Sequence, residues 1–99
     1  MIGVNGPRGE TAIELNGVAR RLCLTLGALA EIETALGCTN MAELQVRMAA
    51  LSAGELMIVL AALLRGGGEG EAASTIGTAD VSPGRAAKAV SEAFHAALA

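Results

Sequence analysis

The sequence predicts an α+β fold, an N-terminal antiparallel β-hairpin packed on a small bundle of three to four α-helices. Three observations carry this. Thr11, Ile13 and Leu15 alternate with Glu10, Ala12 and Glu14, the period of a half-buried strand. Asn16-Gly17 follows directly, and a type I′ turn wants this dipeptide because both central residues take positive φ. Thr25, Asn40, Ser52 and Ser82 then each stand just ahead of an apolar stripe at helical spacing, as N-caps do.

Ninety-nine residues suit one domain. It divides into the hairpin 10–26, a helical core 26–65, a glycine-rich linker 66–81 and a C-terminal helix 82–98. Residues 1–8, with two glycines, Asn5 and Pro7, read as a loose lead-in. The two-residue turn sets Leu15 opposite Val18 and Ile13 opposite Arg20, with Leu22 and Leu24 on the same apolar face. Glu14 and Arg21 fall within diagonal reach on the other face. A lone hairpin is marginal in water, so this face is expected to pack on helices near 26–36 and 53–65.

The first helix runs over 26–36, with Leu26, Leu29, Ile32 and Leu36 as its stripe and Gly37 as its terminator. The second covers about 41–51, its stripe formed by Met41, Leu44, Met48 and Leu51. Ser52-Ala53-Gly54-Glu55 is a capping box that opens a third helix over 53–65. Residues 56–64 of that helix are apolar on every side, so it is either the central helix or partly turned towards another chain. Gly66-Gly67-Gly68 stops it, and the small, polar residues that follow read as linker with one helical turn near Ala72–Ile76. Ser82-Pro83 starts the last helix, with Phe94 as the expected anchor.

Composition excludes several classes of function. Seven basic against ten acidic residues give a net charge of −3, and no basic run exceeds Arg20-Arg21, so the footprint of nucleic acid binding is missing. The longest apolar run, Leu56–Leu64, is far shorter than the roughly 20 residues of a membrane span, which points to a soluble protein. No secretory signal is visible, so a cytoplasmic location in a bacterial host cell is expected, with Cys23 and Cys38 as reduced thiols. Their spacing fits neither a zinc site nor a redox pair.

Catalytic chemistry finds no constellation. His95 is the sole histidine and sits in the last turns of the final helix, where a cation suits the C-terminal dipole. Glu31 and Glu33 lie on different sides of their helix. Gly66-Gly67-Gly68-Glu69-Gly70 follows a helix instead of preceding one, at the negative end of the dipole, so it does not read as a phosphate loop. No catalytic residue, metal or cofactor is expected. The positive signal is apolar: Leu44, Met48, Leu51, Met57, Leu60 and Leu64 are the candidate protein-interface residues, and the excess of apolar surface leads to an expectation of self-association.

Three blocks in series carry a family resemblance: Gly9-Glu10-x-Ala12-x-Glu14-Leu15-x-Gly17, then Leu22-x-Leu24-Thr25-Leu26-Gly27-Ala28-Leu29-Ala30-Glu31-Ile32-Glu33, then Leu63-Leu64-Arg65-Gly66-Gly67-Gly68. In order and spacing they resemble the gene transfer agent and tailed-phage tail assembly chaperone-like family, over residues 9–68 and more loosely over 80–98. The resemblance implies a small, non-enzymatic protein of a tail gene cluster that binds other tail proteins. Its implied client is the helical tape measure protein, held until tube subunits polymerise around it. Some proteins of this kind carry the description of a tail tube protein, and a structural tail component is the alternative reading. That alternative asks for long strands, and the chain has few residues with β pattern. A generic small helical adaptor or regulator is the further alternative. A tape measure gene among the gene's neighbours would separate the tail readings from the third.

Overall fold

The computed structural model describes Gly3 and residues 9–98, so the lead-in expected over residues 1–8 lies, apart from Gly3, outside the described residues. It is an α+β arrangement, with the hairpin first and the helices after it. Strands β1 (Glu10–Leu15) and β2 (Val18–Cys23) pair antiparallel with Leu15 opposite Val18 and Ile13 opposite Arg20, the register the turn dictates. Asn16 at φ 53° and Gly17 at φ 77° supply the two left-handed residues of that turn. Ile13, Leu15, Leu22 and Leu24 are all buried.

Helix α1 (Leu26–Leu36) starts at Thr25, whose hydroxyl accepts from the Ala28 N–H at 3.1 Å. It ends at Gly37, and the Cys38 N–H returns to the Glu33 carbonyl at 2.9 Å. Its buried stripe is Ala28, Ile32 and Leu36, so the expected stripe is rotated, and Leu26 stands 85% exposed. The cause is close approach: Ala28 lies beside Gly66 of the third helix, where only a small side chain fits. Helix α1 therefore packs on the third helix (Ala53–Gly66), and the hairpin packs chiefly on that helix and on the last one (Pro83–Leu98) instead of on α1.

Helix α2 (Met41–Met48) is shorter than expected, closing three residues before Leu51. Asn40 accepts from the Glu43 N–H at 2.9 Å, and Glu43 reaches back to the Thr39 N–H and hydroxyl at 2.6 and 2.7 Å. The Thr39 hydrogen bonds, backbone first, hold the Glu43 carboxyl below its ordinary pKa. Its contribution is thus complete above the ordinary carboxylate pKa and is lost as pH falls through the depressed one.

Helix α3 (Ala53–Gly66) carries the full capping box: Glu55 N–H to Ser52 Oγ at 3.1 Å and Ser52 N–H to Glu55 Oε1 at 2.9 Å. Val59–Leu64 are buried on every side, and this half of α3 is the centre of the core. The other half is different, for Met57 and Ile58 are exposed. Arg65, in the last turn, pairs with Glu31 of α1, a hydrogen-bonded contact that raises the Arg65 pKa.

Residues 66–81 are more than linker. They form helix α4 (Gly70–Ser74) and a 3₁₀ turn (Ile76–Thr78), both packed against α3, with Ala73 buried. Glu69 ties the start of this segment to the hairpin. Its carboxylate accepts from the Arg21 N–H at 2.9 Å and from Arg20 Nη1 at 3.4 Å. Glu69 thus takes the Arg20 guanidinium and the Arg21 backbone N–H, and the diagonal Glu14–Arg21 pair that the spacing allowed does not form among the described residues.

Helix α5 (Pro83–Leu98) docks through Ala86, Ala89, Val90 and Ala93. Phe94, the expected anchor, packs against the core only partly buried, and the buried alanines with Val90 carry most of the docking by letting α5 approach α3 and β1 closely. Neither cysteine is in a disulfide; Cys23 is buried and Cys38 half-buried. No helix among the described residues is long and apolar enough to cross a membrane.

Candidate functional site

An open apolar groove of about 760 Å³ lies between α2, the start of α3 and the outer face of α5. Its geometry follows from the shortness of α2. That helix buries only Leu44, 1% exposed, and then gives way to Ala49-Ala50-Leu51, so its C-terminal end stands off from α5. The gap is walled on one side by Met41, Met48 and Leu51, and on the other by Val90, Phe94 and Leu98. Among the lining residues only Gln45, Ser91 and His95 bring polar side chains, and none carries a fixed charge. Long, unbranched methionines and an aromatic edge in such a groove suit an apolar, adaptable contact.

The six candidate interface residues separate into three places. Met48 and Leu51 line the groove wall, and Leu44 is its buried floor. Met57 is exposed on the first half of α3, beside Ile58. Leu60 and Leu64 are core, at 2% and 0% exposure, and hold the hairpin and helices together. None of the six candidates lies on α5, the groove's other wall. Its signal was there: Ala87, Ser91, Phe94 and Leu98 repeat at i, i+4, i+7 and i+11, a second stripe beside the alanine one. A smaller depression of about 330 Å³ lies between the end of α1 and α2, lined by Leu36, Cys38, Val46 and Arg47 among others.

Chemistry is absent from the groove. His95 and Ser91 both line the groove without a hydrogen bond between them, no acidic side chain lines it, and no group of three metal-ligating side chains occurs among the described residues.

Comparison with known families decides the affiliation. The family model described as phage tail tube protein, GTA-gp10, matches residues 8–99. The chain belongs to this family. The affiliation supports the gene transfer agent and phage-tail context of the resemblance and a structural role associated with the tail. It does not extend to the chaperone-like subtype, and it favours the tail tube alternative over the chaperone reading. A structural family also points away from an enzyme. No curated protein and no solved structure matches the chain.

Proposed function

We propose that this GTA-gp10 family chain is a structural component of a phage-type tail, engaging neighbouring tail proteins through the groove between α2, α3 and α5. The observation that carries this reading is the family match across residues 8–99. The groove adds a physical means: an uncharged, Met- and Leu-lined concavity that would bury apolar side chains of a neighbour. Assembly takes place in the cytoplasm of the bacterial host, and exposed Met57 and Ile58 are the surface for self-association within the tail.

A second reading is favoured by one specific observation. The sheet consists of two six-residue strands, little strand surface from which to build a ring. On that reading the same groove holds a helical client, such as the tape measure protein, during assembly.

Both tail readings are tested by Met48→Glu, a substitution on the groove wall that leaves the Val59–Leu64 core untouched. Produced from its full gene cluster, the variant should retain the parent's helical circular dichroism yet yield few tailed particles by electron microscopy. Parental numbers of tailed particles would show that the groove has no part in tail formation.

A further inference from the structure

The two outer edges of the hairpin are unlike. The Arg21 N–H donates to Glu69, so Arg21 directs its backbone groups away from β1. In an antiparallel ladder its opposite residue Ala12 does the same, as do Glu14 and Ala19 two places along. On the β2 side this outward edge is guarded. Glu69 takes the Arg21 N–H, and Gly67 and Gly66 lie hard against the Arg21 and Cys23 carbonyls. On the β1 side the outward groups of Ala12 and Glu14 make no hydrogen bond to any other element among the described residues, and both residues are exposed.

We propose that the outer edge of β1 is a strand-acceptor edge, taking an extended segment of a partner protein that carries lysine or arginine opposite Glu14. Main-chain hydrogen bonds to Ala12 and Glu14 supply the attachment, and the side-chain pair supplies the choice of partner. Charge identifies the occupant. Glu14 carries its carboxylate on the edge strand, and the Asp80 N–H donates to Asn16 Oδ1 at 2.7 Å, which sets a second carboxylate-bearing residue beside the hairpin turn. Of the two cations on the other strand, Arg20 is paired with Glu69, and Arg21 makes no ion pair with Glu14 among the described residues. A second copy pairing β1 on β1 would bring another Glu14 to the same edge, where like charges repel. Head-to-tail pairing of β1 on a neighbour's β2 is blocked by Glu69 and the Gly66-Gly67 junction. No β1 residue lines the groove, and the edge does not depend on the tail reading.

The test is a titration of the ¹⁵N-labelled protein, followed by amide shifts and exchange, with two short synthetic peptides: one alternating valine and lysine, the other valine and glutamate. The lysine peptide should shift and protect the amides of Ala12 and Glu14 while leaving Met48 and Leu98 unmoved. Glu14→Lys should transfer the preference to the glutamate peptide. Ala12→Pro removes an edge donor that the hairpin does not use and should weaken the lysine peptide by roughly tenfold, the loss of about one hydrogen bond. Unperturbed β1 amides with the lysine peptide, an unchanged preference in Glu14→Lys, or protection of Ala12 that grows with protein concentration alone would each overturn the proposal.

Discussion

Alanine in place of Gly66 is expected to destabilise the protein by roughly 3 kcal/mol, and at Gly67 by a similar amount, the upper range for overpacking because the obstruction is backbone. A methyl on Gly66 would sit on the Cys23 carbonyl oxygen, and one on Gly67 on the Arg21 carbonyl. Neither strand carbonyl can swing aside, since β2 is held by β1 on its other edge. Gly67 lies at φ −85°, a conformation alanine adopts freely, so its cost is one of space alone. Gly70 supplies the control: nothing lies within 4 Å of a methyl there, and Gly70→Ala should stay within about 0.5 kcal/mol of the parent. Urea unfolding of the three variants checks the order, and equal midpoints would refute the close-contact account.

Leu63→Ala should have the other large effect. Leu63 is fully buried in the half of α3 that forms the centre of the core. With Phe94 the sole aromatic residue, the core is aliphatic and alanine-rich, with little slack to fill a void. The expected loss is about 3 kcal/mol, which lowers the Tm of a domain this size by more than about 10 °C. On the same helix, exposed Met57→Ala should change stability by less than about 0.5 kcal/mol. Thermal melts of both would show a large gap. A small one would mean that the α3 helix is not divided into a core half and a surface half.

The parts of the fold legible in the sequence are those set by local chemistry. Asn16-Gly17 fixed the hairpin register, and Thr25, Asn40 and Ser52 mark helix starts that the structure places on those residues. The all-apolar run from Leu56 to Leu64 announced a central helix, though not that its exposed face would stop at Ile58. Contacts between distant segments were hidden. Glycine in a sequence reads as a turn, so Gly66-Gly67 looked like linker, although the pair is a contact surface for β2. Ala28 won the buried stripe of α1 over Leu26 because Gly66 demanded a small neighbour, which periodicity does not weigh. The groove escaped half-seen for the same reason. Met48 and Leu51 were legible as a stripe, but their opposite wall on α5 is brought in by the fold.

The structural reading of the tail role is tested most directly by counting copies of this chain in purified, mature particles by quantitative mass spectrometry. A tail component should be present in tailed particles at a fixed ratio to the other tail proteins, and lost when tails are sheared away. A chain abundant in the producing cells and missing from intact particles would contradict that account, and would make holding a client during assembly the better description of what the groove does.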